Sequence, residues 1–222
     1  MKAGSSHHKR DCLITTLGTL VRDGESRVLI ANMIASLNAK YDLSEKMARE
    51  PGVEDIITQM VGRMANAFER LANVQAKRIL DIACGSNTSR APASIYINTP
   101  LGEKRIHTSN TESFTAQFEP WLCRMLLELG ARPVGIDFGD LDCEAFEHYR
   151  ADLGQEGALD FLPSHSFDAV QDSRLFGSPE FTAQFPNQAD RLKVAQEIKR
   201  QEQRLLKADG IVIHSDADGL LR

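Results

Sequence analysis

The chain has 222 residues, 42% of them hydrophobic and 26% charged, with 26 basic against 31 acidic side chains and a formal net charge of −5. That length carries one domain with a substantial core plus an accessory segment. The acidic balance leaves no basic footprint for nucleic acid, no run of about 20 apolar residues marks a transmembrane helix, and the polar N-terminus is no secretory signal. The expectation is therefore a cytoplasmic protein with neither a nucleic-acid nor a membrane partner.

Residues 1–10, with Ser5-Ser6-His7-His8, read as a disordered tail. Residues 11–76 read as a helical segment. Leu13, Leu17, Leu20 and Val21 share one helical face, Leu29, Met33 and Leu37 another, and Asp23-Gly24 separates the two. A third helix starts after Pro51-Gly52, with Ile56, Met60, Met64, Ala67 and Leu71 on its buried side. This stripe of Met and Leu is core or a partner interface, so the segment is a candidate lid or dimer contact. Cys12, Cys84, Cys123 and Cys143 are widely spaced. With no C-x-x-C pair and no histidine at zinc-finger spacing, they argue against a disulfide framework or a structural metal.

The domain proper spans residues 77–222. Arg78-Ile79-Leu80-Asp81-Ile82 is a buried strand, and Ala83-Cys84-Gly85-Ser86-Asn87 is a small-residue loop after it. This is how an open α/β sheet brings backbone N–H groups close to a nucleotide-like ligand. Residues 91–118 form an insertion, since the helix that should follow the loop comes late. Within it Ser94-Ile95-Tyr96-Ile97 and Lys104-Arg105-Ile106-His107 flank Asn98 to Gly102, a β-hairpin with a longer loop. It is either a gate at the rim of the active site or a decorative element. The late helix starts at Pro120, a first-turn residue, and stops at Gly130.

Pro133-Val134-Gly135-Ile136-Asp137 is a second buried strand ending in a carboxylate, and Phe146 to Leu153 a third with Asp152 at its exit. Glu156 to Pro163 looks like a short helix and contains Asp160, a rival to Asp152. Ser166 to Asp172 is a further strand, and Leu205 to Ile213 reads as a helix end, a turn and another strand. Lys199, Arg200, Arg204 and Lys207 cluster near that helix end, most simply as a solvated face. Beyond the strand only His214 to Arg222 follow. The reading is either a truncated chain or an exposed apolar sheet edge, which a second protomer or the N-terminal segment would cover. A homodimer is the expectation.

The order of these four pieces, from Arg78 to Ser215, resembles the class I S-adenosylmethionine-dependent methyltransferases. In that family the glycine loop carries acidic-x-Gly-x-Gly-x-Gly; here Ala83 stands at the first glycine and Asn87 at the third. The later Leu-Lys turn has Ala208-Asp209 where the family has Pro-Gly. The resemblance implies an α/β, doubly wound, mostly parallel sheet that binds S-adenosylmethionine and passes its methyl group to a small-molecule acceptor. It implies that Asp81 and the Ala83-Cys84-Gly85-Ser86-Asn87 loop orient the methionine part. Asp137 would accept both ribose hydroxyls, and Asp152 would bind adenine between Phe138 and Leu153. Gln171 stands where the family's reactive edge begins. The Asn-Pro-Pro-Tyr type motif of adenine and glutamine amino-group methylases is absent.

Near the acceptor, Asp172, Arg174 and His214 are the candidates for a base, and for each a loop cap or surface ion pair is an equal alternative. Three rival functions stay open. One is a non-catalytic methyltransferase-like scaffold. Another is a nicotinamide-dependent oxidoreductase, disfavoured because Ala83 and Thr88 replace the outer glycines of G-x-G-x-x-G. The third is a nucleic-acid methylase, disfavoured by the charge balance.

Overall fold

The computed structural model describes residues 24–49, 73–86, 94–99, 102–107, 119–139, 141–172, 175–176, 181 and 184–214. The expected helices over residues 11–23 and after Pro51 lie outside these, as do Asn87 and Arg174.

Five parallel strands form the sheet: β1 Arg78–Ile82, β4 Arg132–Asp137, β5 Glu147–Arg150, β6 Phe167–Gln171 and β7 Leu206–Ile213, in the order β5-β4-β1-β6-β7. The chain moves outward from β1 through β4 to β5, then returns to the other side of β1 with β6 and β7. This reversal makes the sheet doubly wound. The insertion contributes a separate antiparallel hairpin, β2 Ser94–Thr99 with β3 Gly102–His107. Thr99 pairs with Gly102, so the ladder runs further than expected and two residues, rather than a longer loop, join the strands.

The central strands read as apolar runs because both of their faces are covered. Alternation along β1 sends Ile79 to one face and Leu80 and Ile82 to the other. The first face is packed by α1 (Gly24–Tyr41) and α3 (Trp121–Glu128) through Ile30, Met33, Ile34, Leu37, Leu122 and Leu126. The second is packed by α4 (Gln188–Leu205) through Ala195, Ile198 and Leu205. The buried stripe of α1 differs from the expected one, since Leu29 is exposed, Ile30 takes its place and Ile34 joins it. A short helix α2 (Leu43–Arg49), not anticipated, follows α1.

Helix ends obey local chemistry. Gly130, at φ +78, follows Leu129, the C-cap of α3. The Gly130 N–H bonds to the Leu127 carbonyl and the Ala131 N–H to that of Leu126. This is the paired motif in which a left-handed residue satisfies the last carbonyls of a helix. At α4 the Asn187 side chain caps the Ala189 N–H at 3.0 Å.

Two expectations are corrected. Glu156 to Pro163 forms successive tight turns instead of a helix, with the Ala158, Asp160 and Leu162 N–H groups each bonding three residues back. The turn foreseen at Lys207 to Gly210 is a bulge inside β7. Phe167 pairs with Leu206 and Ala169 with Ile211, so three extra residues bow out of the ladder. Lys207 ties the bulge down through a 2.8 Å bond to Asp168.

The passage from β4 to β5 has no helix. It suffices because Glu147 pairs with Val134 and Arg150 with Asp137, so β5 starts beside the middle of β4 and the chain need not descend the full strand. This passage is latched by Arg124 of α3. The guanidinium donates from Nε (3.0 Å) and Nη2 (2.6 Å) to the two carboxyl oxygens of Glu144 and from Nη1 to Glu119. It also lies 4.0 Å from the ring centre of Tyr41 and 4.6 Å from that of Trp121. Lys46 of α2 completes the network, 2.7 Å from Glu119. The guanidinium is buried, so Arg124→Met strands the buried Glu144 carboxylate and leaves the buried Glu119 with Lys46 alone. Stability should fall by about 3–5 kcal/mol, read from urea denaturation; a loss below about 1 kcal/mol, the value of a surface pair, would remove the latch from this account.

Candidate functional site

Because all five strands are parallel, their carboxyl ends emerge along one edge. Across that edge stand Asp152 after β5, Asp137 at the end of β4, the Ala83 to Ser86 loop after β1, Asp172 after β6 and His214 after β7. Neighbouring strands are about 5 Å apart, so these groups form a continuous row.

The loop after β1 is shaped by two left-handed residues, Ala83 at φ +56 and Gly85 at φ +94. Ala83 thus holds the conformation that the family's glycine would adopt freely, at a steric cost. The Cys84 N–H donates to the Ile136 carbonyl at 3.0 Å. The Gly85 N–H donates to Asp137 Oδ2 at 2.9 Å, and Asp137 Oδ1 accepts from the Gly139 N–H at 2.9 Å. One carboxylate therefore joins the β1 loop to the β4 turn. These loops touch: a Cβ on Gly139 would stand 2.3 Å from Ser86 Oγ. Cys84 is buried with Cys123, Leu141 and Phe146. Burial, helped by Cys123, pushes its thiol well above the usual range, so it serves as a packing residue and not as a nucleophile.

Asp81 and Gln171 are paired across β1 and β6 and are both buried; the Cys123 thiol is 3.6 Å from Asp81 Oδ2. Asp152 Oδ1 accepts from the Gly154 N–H and from Gln184 Nε2, each at 2.9 Å. Leu153 packs against the α4-side core. Phe138 is half-buried, and its carbonyl accepts from Arg150. Asp160, the rival, is held at 2.7 Å by Gln201 of α4.

Asp172 and His214 come together. The Asp172 N–H reaches the Ile213 carbonyl, and Asp172 Oδ1 lies 2.7 Å from His214 Nδ1. Asp172 Oδ2 lies 3.1 Å from Lys199 Nζ, which is also 3.3 Å from Glu202 Oε2. Asp172 and Glu202 are fully buried. Burial first, and then the Asp172 charge, push the Glu202 carboxyl up to about 8, with Lys199 opposing. Burial lowers Lys199, but the charges of Glu202 and Asp172 outweigh it, and its ammonium is held above the usual value.

Lys199 and Glu202 were not among the expected site residues. A signal existed: Glu202 occupies the position four after Ile198 on the buried stripe of α4, where an apolar residue belongs. The expected solvated basic face holds for Arg200, whose side chain is exposed, and not for Lys199 and Arg204. Arg204 binds the Leu159 and Leu162 carbonyls, Arg200 binds Glu197, and Lys207 binds Asp168.

Strand order, parallel pairing and strand-end acids are now in place. The fold is a Rossmann-like, doubly wound α/β sheet. No family model and no curated protein matches the sequence. Among solved structures, the CurJ carbon methyltransferase is 13% identical, with 93% of this chain and 48% of that chain covered and a TM-score of 0.37. The trans-methyltransferase CalH in complex with SAH is 14% identical, with 86% and 50% covered and a TM-score of 0.34. This chain spans about half the length of each. The strand order, which dinucleotide-binding sheets share, rather than these distant likenesses, defines the Rossmann-like fold here. Among the described residues no helix is long and apolar enough to cross a membrane.

Two outcomes are expected. Ala83→Gly relieves the left-handed strain and should gain about 0.5 kcal/mol after the unfolded-state cost of glycine, whereas Ala83→Val should lose about 1–2 kcal/mol. Thermal denaturation checks the order Gly, Ala, Val. The second concerns Glu202, whose folded carboxyl lies above its ordinary 4.5 at about 8. Across that window the folded state keeps a proton that the unfolded state has lost, so stability falls as pH rises through it and levels off above. Glu202→Gln should abolish this component. Urea midpoints at about pH 5 and pH 8.5 that drop in parallel for both proteins would refute it.

Proposed function

We propose that the chain binds S-adenosylmethionine along the carboxyl edge of the sheet and transfers its methyl group to a small-molecule acceptor. The observation that carries this reading is Asp137, whose carboxylate sits on the strand next to β1 and is bonded at once to the β1 loop and the β4 turn.

The residues fit the cofactor. A carboxylate has two oxygens with several acceptor positions, which suits a ribose diol. The row runs from Asp152 through Asp137 to the glycine loop, the order of adenine, ribose and amino acid in the cofactor, whose reacting sulfonium lies between the ribose and the amino acid. Phe138 and Leu153 flank Asp137 and Asp152 in sequence and supply apolar surface for the adenine ring. Asp81, beneath the loop, and Gln171, beside it on β6, border the amino acid end. An edge rich in carboxylates also favours a cationic sulfonium. When bound, the cofactor supplies an electrophilic methyl carbon, so positioning does most of the catalytic work.

The chain's own residues then have two tasks. The β1 loop and Asp137 orient the donor. The Asp172–His214 pair takes a proton from an acceptor that arrives protonated. Asp172 bonded to Nδ1 fixes the tautomer with its proton there, which leaves basicity at Nε2. The absence of a basic excess favours a small molecule over nucleic acid as acceptor.

Calorimetric titration tests the reading. S-adenosylmethionine and S-adenosylhomocysteine should bind saturably and NAD should not. Asp137→Asn should weaken both by about 10- to 100-fold, the loss of charge-assisted bonds, with circular dichroism confirming that the variant is folded. No binding of the sulfur nucleotides at millimolar concentration would sink the methyltransferase reading and favour a scaffold; binding of NAD would favour the oxidoreductase.

A further inference from the structure

The charged and titratable groups that meet behind the reactive edge come from three elements. Asp172 ends β6, His214 ends β7, and Lys199 and Glu202 lie one turn apart on α4. The carboxyl groups of Asp172 and Glu202 are buried, while Lys199 and His214 keep part of their side chains exposed. A buried charge without compensation is expensive, so the sum over the cluster has to stay near zero. The ammonium of Lys199 balances one carboxylate. The second carboxylate has two ways to be balanced: Glu202 keeps its own proton, or His214 becomes an imidazolium. The cluster thus has one exchangeable proton and two places for it, joined by Asp172, which contacts the imidazole through Oδ1 and the ammonium through Oδ2.

We propose that Glu202 and Lys199 are positioning residues that set the protonation of the Asp172–His214 pair, with Glu202 and His214 the two places for the proton that balances the second carboxylate. The role in catalysis rests on His214 being the base for methyl transfer. The exchange itself balances without a co-reactant. When His214 accepts a proton from the acceptor, the Glu202 carboxyl releases its own to solvent and the cluster keeps its charge. Glu202 also gains by being a carboxyl at that place. Neither of its oxygens has a hydrogen-bond partner of good geometry, as suits a group whose proton and charge come and go. Burial first, and then the Asp172 charge, push the Glu202 carboxyl up to about 8, so Glu202 can hold a proton near neutral pH.

The test is a ligand-free NMR titration of the full chain carrying ¹³Cε1-labelled histidine. The six histidines are resolved by comparison with His214→Gln. The His214 signal of the wild type should show two inflections, its own and a second near pH 8 as Glu202 ionises. In Glu202→Gln the upper inflection should vanish while the lower one stays in place. In Lys199→Met the cluster loses its fixed cation, so His214 should bind its proton at least tenfold more tightly. A single inflection in the wild type overturns the proposal, and so does an upper inflection that survives in Glu202→Gln. The wild-type titration requires no variant, so a substitution that fails to fold leaves the test decisive. Because no cofactor is present, a failure here is separate from a failure of S-adenosylmethionine binding. Cofactor binding with one inflection keeps the methyltransferase reading and removes the shared proton; two inflections without cofactor binding do the reverse.

Discussion

A parallel sheet sends every strand out at the same edge, and the rest of this molecule is arranged around that constraint. The strand ends bring Asp81, Asp137, Asp152 and Asp172 into one row. Four carboxylates at such spacing repel one another unless each is answered locally. The answers differ. Asp137 receives two backbone N–H groups, Asp152 an N–H and two side-chain amides, and Asp172 an ammonium and an imidazole. Asp81 is kept from solvent beside a thiol. A carboxylate fixed by backbone amides is a stationary acceptor, whereas one held by titratable groups is linked to the movement of protons.

The same constraint governs packing. Parallel strands need return paths, and those paths cover both faces. Helix α3 carries the return from the insertion to β4, and α4 the return from β6 to β7. The passage between β4 and β5 has no helix among its described residues and is held by an ion pair instead. Arg124 there joins Tyr41 of α1, Glu119 before α3 and Glu144 in the passage. Sheet topology and the buried charge network are therefore one design: the network stands where a helix would otherwise supply apolar cover.

Much of this architecture is legible in the sequence because buried parallel strands leave continuous apolar runs. Ile79-Leu80 and Val134-Gly135-Ile136 announce β1 and β4, and Pro120 and Gly130 bracket α3. The face of α1 was harder, because Val28, Leu29 and Ile30 are consecutive and either neighbour fits a helical stripe. The structure exposes Val28 and Leu29 and buries Ile30. Asp137 at a strand end was readable from the strand itself. The α4 contribution to the edge was not, because Lys199 and Glu202 sit in a helix crowded with charges, and only three-dimensional packing separates the buried charges from the solvated ones. The bulge at Lys207 to Gly210 reads as a plain turn in one dimension, since pairing register is a property of two strands.

That bulge has a consequence for how the sheet can grow. In the described residues β7 is the outer strand beside β6. Its first half bows out of register between Leu206 and Ile211, which interrupts the regular alternation of outward N–H and C=O groups that an added strand reads. Only Ile211 to Ile213 presents an even template. Any further strand, from this chain or another, is thereby confined to a short ladder at the carboxyl end, next to His214. Assembly at this side of the sheet would then be felt at the carboxyl edge, beside His214, before anywhere else.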